Sequence, residues 1–156
     1  MYYNYIYDGS FDGFLTALFY CFKSKKKPNY IGFKDINNNF FEENIHITTE
    51  EDKAIKVYEG IKNTLSEEAM RAVFYAFLSE SENSGMIIYR FLRDGFKIGS
   101  NILDYAANIN VSELLSLRLK VSREIHYLLG LIRFKELKKG IYYAQIKPTY
   151  NSIGLI

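Results

Sequence analysis

The chain has 156 residues, 48% of them hydrophobic and 24% charged, with a net charge of +2. That length predicts one globular domain, large enough to bury about two-thirds of its unfolded surface, and the composition excludes a disordered or fibrous chain. A single Cys21 excludes an internal disulfide and a multi-cysteine metal site, and no run approaches the ~18 apolar residues of a membrane span, so a cytoplasmic protein is expected.

In chain order, Tyr2 to Tyr7 reads as an aromatic strand and Asp8-Gly9-Ser10 as a turn. Ser10 is placed to cap a helix whose core side is Phe14, Leu15, Leu18, Phe19 and Phe22. Asp8 and Asp12 could suggest metal ligands, but two carboxylates without a third ligand are better explained by capping. Cys21 lies in an apolar run and reads as a buried thiol. Lys23, Lys25, Lys26 and Lys27 complement the end of that helix. Between 29 and 48, Ile31 and Phe33 alternate with polar neighbours, Asn37-Asn38-Asn39 marks a turn, and Phe40-Phe41 and Ile45 to Ile47 suggest short strands. His46 has no acid or nucleophile beside it in sequence.

From Thr49 onward helices dominate. Thr49 with Asp52 predicts the cap of one helix, and Ser66 with Glu67 and Glu68 opens a second almost at once. Residues 79–85 read as a surface loop. A third helix carries Ile87, Ile88, Phe91 and Leu92 and is expected to stop at Gly95, with a shorter helical segment around 102–107.

The stretch from Asn110 to Pro148 carries the most legible pattern. Asn110 and Glu113 have capping-box spacing, and Leu114, Leu117, Val121, Ile125, Leu128 and Ile132 form an apolar stripe. Gly130 is expected to end the helix with a positive φ, reversing the chain so that Arg133 lies near Arg123 and His126. Residues 131–137 and 141–147 then flank Lys138-Lys139-Gly140 as a hairpin. The fold class expected is α+β, mainly helical, with a small antiparallel sheet built from the N-terminal strand and the C-terminal hairpin.

The helix face opposite the stripe presents Arg123, His126, Tyr127 and Gly130, with Lys120 beside them and Arg133 just beyond. Residues 111–156 hold 8 Lys/Arg against 3 Asp/Glu, whereas residues 1–110 hold 12 against 15. A basic third on an otherwise acidic chain points to an anionic partner. Tyr127 and His126 could instead pack beneath a neighbouring element while the arginines extend to solvent. Lys120, Arg123, His126, Tyr127 and Arg133 are therefore the candidate nucleic-acid-binding residues. Glu124 and His126, two apart on a helix, face about 160° away from each other and do not form a dyad. No phosphate-binding glycine loop, H-E-x-x-H or nucleophile elbow is present, so no reaction is named and no cofactor or metal is implied.

Two segments carry a resemblance. Tyr7-Asp8-Gly9-Ser10-Phe11-Asp12-Gly13-Phe14-Leu15 resembles the opening signature of a bacterial DNA repair or DNA metabolism family. The run from Arg123 to Phe134 resembles its second signature, and Leu78-Ser79-Glu80, Gly140, Tyr143-Ala144 and Pro148 extend the likeness. The resemblance implies a domain of unknown biochemical activity, found beside a radical-SAM protein and sometimes fused to a uracil-DNA glycosylase domain. Thr149 and Tyr150 stand before Asn151 where the family tends to show an acidic residue and His. Family members also usually continue beyond the equivalent of Ile156, so a single domain, shortened at its C-terminus, is expected. The expected function is an accessory domain that binds DNA through the basic face. The alternative is a domain that docks the radical-SAM or glycosylase partner without touching DNA.

Overall fold

The computed structural model describes residues 1–36 and 39–156; the expected turn at Asn37-Asn38 lies outside the described residues. Strand β1 (Tyr2–Ile6) is followed by helix α1 (Phe11–Lys23), and β2 (Pro28–Gly32) returns to pair with β1 in parallel. Strand β3 (Glu42–His46) pairs in parallel with the other edge of β1, giving the order β2-β1-β3. Four further helices follow: α2 (Glu51–Thr64), α3 (Glu67–Leu78), α4 (Ser84–Ile98) and α5 (Ile109–Leu131). Strands β4 (Lys135–Lys138) and β5 (Ile141–Tyr143) form a separate antiparallel pair.

The α+β class and its helical bias are as expected, and so is the antiparallel hairpin. The expected junction between hairpin and N-terminal strand is not formed. A parallel partner needs a crossover connection, and α1 is that crossover. Asn4, Tyr5 and Ile6 are buried in succession rather than alternately, as in a strand covered on both faces. Asn4 donates from Nδ2 to Asn44 Oδ1 on β3 at 3.1 Å, and Asn44 donates onward to the Ile36 carbonyl at 3.0 Å. The Tyr5 hydroxyl donates to the Lys26 carbonyl at 2.8 Å. Asn4 Oδ1, by contrast, is buried without a hydrogen-bond partner among the described residues.

Ser10 caps α1 by accepting from the Gly13 N–H at 2.9 Å, and Ser66 caps α3 by accepting from the Ala69 N–H at 3.0 Å. Thr49 does not cap α2. Its hydroxyl donates to Asp8 Oδ2 at 2.7 Å, and Glu50 precedes the helix with no side-chain cap bond. Both Asp8 oxygens are thus engaged, Oδ1 by Ser10 and Oδ2 by Thr49, and these bonds hold the Asp8 carboxyl below its ordinary range. Helix α4 runs past Gly95 and stops at Gly99, whose φ of +92° is open to glycine. Gly95 instead faces Leu65, whose Cδ2 would lie 2.6 Å from an added Cβ.

The principal core joins β1, α1, α3, α4 and the first half of α5 around Phe14, Phe91, Ile88 and Leu114. Cys21 is buried in it, and burial pushes its thiol up, which leaves an unreactive apolar filler. A second, smaller cluster joins Leu78 to Val121 and Ile125, with Phe74, Tyr75, Tyr150 and Leu155 packed against it. No helix among the described residues is long and apolar enough to cross a membrane.

Candidate nucleic-acid interface

Helix α5 begins two residues earlier than the capping-box spacing suggests. Asn108 is the cap, and its side-chain oxygen accepts from the N–H groups of Asn110 and Val111. Asn110 is instead turned to Asp94, donating from Nδ2 to Oδ2 at 2.6 Å. The expected stripe is buried from Leu114 through Leu117, Val121 and Ile125 to Leu128, while Ile132 is only half-buried at the helix end.

The opposite face is open. Lys120, Arg123, His126 and Tyr127 are all exposed, Tyr127 to 66%, so no element covers them. At 100° per residue, Lys120, Arg123 and Tyr127 fall within about 60° of each other, with His126 adjoining. The helix brings these four together as the sequence implied.

Arg133 is placed differently. Helix α5 continues through Gly130 to Leu131, Gly130 is not among the positive-φ residues, and Ile132 leaves the helix with φ −59°. An added Cβ at Gly130 would meet nothing within 4 Å. The reversal that would carry Arg133 back toward Arg123 does not occur there. Arg133 donates from Nη1 to the carbonyls of Gly130 and Ile132, at 3.3 and 3.2 Å, which covers the last turn with a cation. No carboxylate partners it among the described residues.

The hairpin that follows α5 in the chain is likewise exposed. Gly140, with φ +82°, makes its tight turn, and the register sets Lys135 opposite Tyr143 and Lys138 opposite Ile141. Every residue of both strands is exposed. Phe134 is exposed to 68% and Tyr142 to 61%. Between residues 120 and 147 the cations are Lys120, Arg123, Arg133, Lys135, Lys138, Lys139 and Lys147. Among the described residues none of them forms an ion pair, whereas Lys26, Lys53, Arg71, Arg90, Arg93 and Arg118 all do. The two acids of this stretch are occupied by backbone. Glu136 accepts from the Gly140 N–H at 3.1 Å.

Glu124 has a role that its spacing to His126 could not reveal. Its carboxylate accepts from the Thr149 N–H, from the Tyr150 N–H at 3.0 Å and from the Ser152 hydroxyl at 2.9 Å. Burial pushes this carboxyl up, but those donors outweigh it and hold it below the usual carboxylate range. Asn151 adds a backbone bond to the Leu78 carbonyl at 3.0 Å. The C-terminal segment is thus strapped across α5 and α3, held at Glu124, one helical turn from Lys120. Only coordinates place residues 149–152 beside Glu124, since 25 residues or more separate them in sequence.

His46, expected to stand alone, lies 3.5 Å from Asp35 Oδ1, with both side chains well exposed. The pair sits at the sheet end, away from the candidate interface.

Residues 81–156 match a family described as a domain of unknown function, DUF4130. The match takes in α4, α5, the hairpin and the strap, and therefore all five candidate residues; the Tyr7–Leu15 segment lies outside it. No curated protein and no solved structure matches the chain.

Proposed function

We propose that this chain is an accessory domain of bacterial DNA repair or DNA metabolism that binds nucleic acid through the surface formed by α5 and the hairpin. One observation carries the reading: seven cations without a carboxylate partner among the described residues share an exposed stretch with Tyr127, Phe134, Tyr142 and Tyr143. Unpaired Lys and Arg release counterions when they meet phosphates, and exposed rings stack on unpaired bases. Arg123 offers a bidentate fork to phosphate, and Lys120 a point charge one turn away. The rings favour a single strand over a duplex, whose bases are already stacked. The test is binding of a single-stranded and a double-stranded oligonucleotide at two salt concentrations. Salt-weakened binding that falls further in Arg123→Ala/Arg133→Ala supports the reading. Binding indifferent to both would end it.

A second reading rests on Leu129, Leu131, Leu137 and Ile141, which are exposed and contribute nothing to phosphate binding. An apolar surface of this kind suits a protein partner, and the family resemblance suggests a radical-SAM or glycosylase protein. Retention of such a partner by Arg123→Ala/Arg133→Ala, and its loss in Leu129→Lys/Leu137→Lys, would favour docking over DNA contact.

A further inference from the structure

A cavity among the described residues lies away from this surface, at the carboxyl ends of β1 and β2, where the α3–α4 loop folds over the sheet. Ligands of open parallel sheets bind at that end of the strands. The volume, about 460 Å³, falls in the ordinary small-molecule range. Ring surface comes from Tyr7, Tyr30, Phe33 and Phe77.

Tyr7 is only 9% exposed and lines the cavity; its hydroxyl is not fully buried and makes no hydrogen bond among the described residues, so it is open to a ligand there. Burial, with Tyr30, Glu80 and Asp8 nearby, pushes the hydroxyl well up, so it keeps its proton and remains a donor. The α3–α4 loop brings Glu80 and Glu82 to the same cavity, and neither has a cation within ion-pair distance among the described residues. Asp35 also lines it but is turned to His46. Lys34 is the single cation of the lining among the described residues, with its ammonium 5.7 Å from the Phe33 ring centre. Acids therefore outnumber cations three to one, a poor setting for phosphate and a good one for positive charge held between ring faces.

We propose that this cavity binds a planar heteroaromatic nucleoside, and binds it more tightly when the ring carries positive charge. The aromatic side chains hold the ring, the Tyr7 hydroxyl donates to a ring nitrogen or carbonyl, and Glu80 and Glu82 accept from amine or ribose hydroxyl groups. A base within a strand would bring its phosphates against these acids, so the free nucleoside is the favoured source. This site is independent of the basic surface and stands if nucleic-acid binding fails.

The full chain is titrated separately with adenosine, 1-methyladenosine (cationic at neutral pH) and adenosine 5′-monophosphate, following backbone amide shifts by NMR. Saturable shifts should centre on residues 30–34 and 80–84, with affinity falling from 1-methyladenosine through adenosine to the monophosphate. Tyr7→Phe, which keeps the ring, should weaken adenosine about five- to tenfold. Glu80→Gln/Glu82→Gln, on exposed positions, should abolish the preference for the cationic ring while leaving the melting temperature unchanged. The proposal is overturned by absence of saturable binding up to about 10 mM, by shifts centred elsewhere, or by tightest binding of the monophosphate. It is equally overturned if both the Tyr7 and the glutamine variants bind as the parent does.

Discussion

Residues 1–119 and residues 120–147 treat their side chains in opposite ways. The first region holds the packed core, with Phe14, Phe91, Ile88 and Leu114 fully buried, and pairs six of its Lys and Arg side chains with carboxylates. The second buries only Val121, Ile125 and Leu128, leaves its rings in solvent and pairs none of its cations. An isolated two-stranded hairpin exposed on all sides is marginal in water. The first region carries the packed core, and the second leaves its cations without carboxylate partners and its rings exposed among the described residues.

The largest effect should come from the sealed region. Phe91→Ala is expected to cost about 3–5 kcal/mol in chemical denaturation, because it empties a fully packed site. Phe134→Ala, which removes an equal ring from the exposed region, should stay within about 0.5 kcal/mol. Equal losses would erase the distinction between the regions.

Gly85→Ala comes next. An added Cβ would sit 2.1 Å from the Ile31 carbonyl oxygen, which is backbone and cannot move aside without shifting β2. A cost of about 2–3 kcal/mol is expected, read from the urea midpoint. A neutral result would mean that α4 and β2 are not in direct contact.

Glu124→Gln tests the strap at the border between the regions. Losing the charge on a largely solvent-screened acceptor should cost about 1 kcal/mol, with amide exchange accelerating at Thr149 and Tyr150 first. Because the folded carboxyl lies below its unfolded value, its contribution is complete above the ordinary Glu range near pH 4.3 and is lost as the pH falls through the lower folded value. Protection at those two amides should therefore fall in acid in the parent and be already lower, and insensitive to this pH change, in the variant.

Gly130→Ala has the smallest effect and the opposite sign. A helical glycine with open space around its Cβ position should become more stable by about 0.5–1 kcal/mol when replaced by alanine. Destabilisation would restore the positive-φ stop.

That reversal of sign shows where the sequence was legible. Periodicity identified the stripe from Leu114 to Leu128, because burial of one helix face leaves a strong repeat. Ser10 and Ser66 were legible as caps, because an N-cap bond is local. Helix ends were not: Gly95 and Gly130 carry a stop residue, but Gly95 is needed for space against Leu65, and α5 continues past Gly130. The sheet was misassigned because β1, β2 and β3 are five residues each and their pairing depends on α1 lying between them. Charge and helical spacing singled out Lys120 and Arg123, which are exposed, but not Lys135, Lys138, Lys139 and Lys147 on and around the hairpin. The cavity was missed, since its lining comes from β1, β2 and the α3–α4 loop, which meet only once the parallel pairing is known.

The most direct test removes the same charge from each region. Lys120, Arg123, Lys138 and Lys139 are changed to Gln in one variant, and Lys23, Lys25, Lys27 and Lys56 in another, so that net charge falls equally. The measurement is the salt dependence of binding to a single-stranded oligonucleotide, whose log–log slope changes by about 0.7 for each phosphate no longer neutralised. The first variant should bind weakly with a slope shallower by about two to three units, and the second should keep the parent slope. Equal slopes in the two variants would contradict a localised interface and leave only diffuse attraction between net charges.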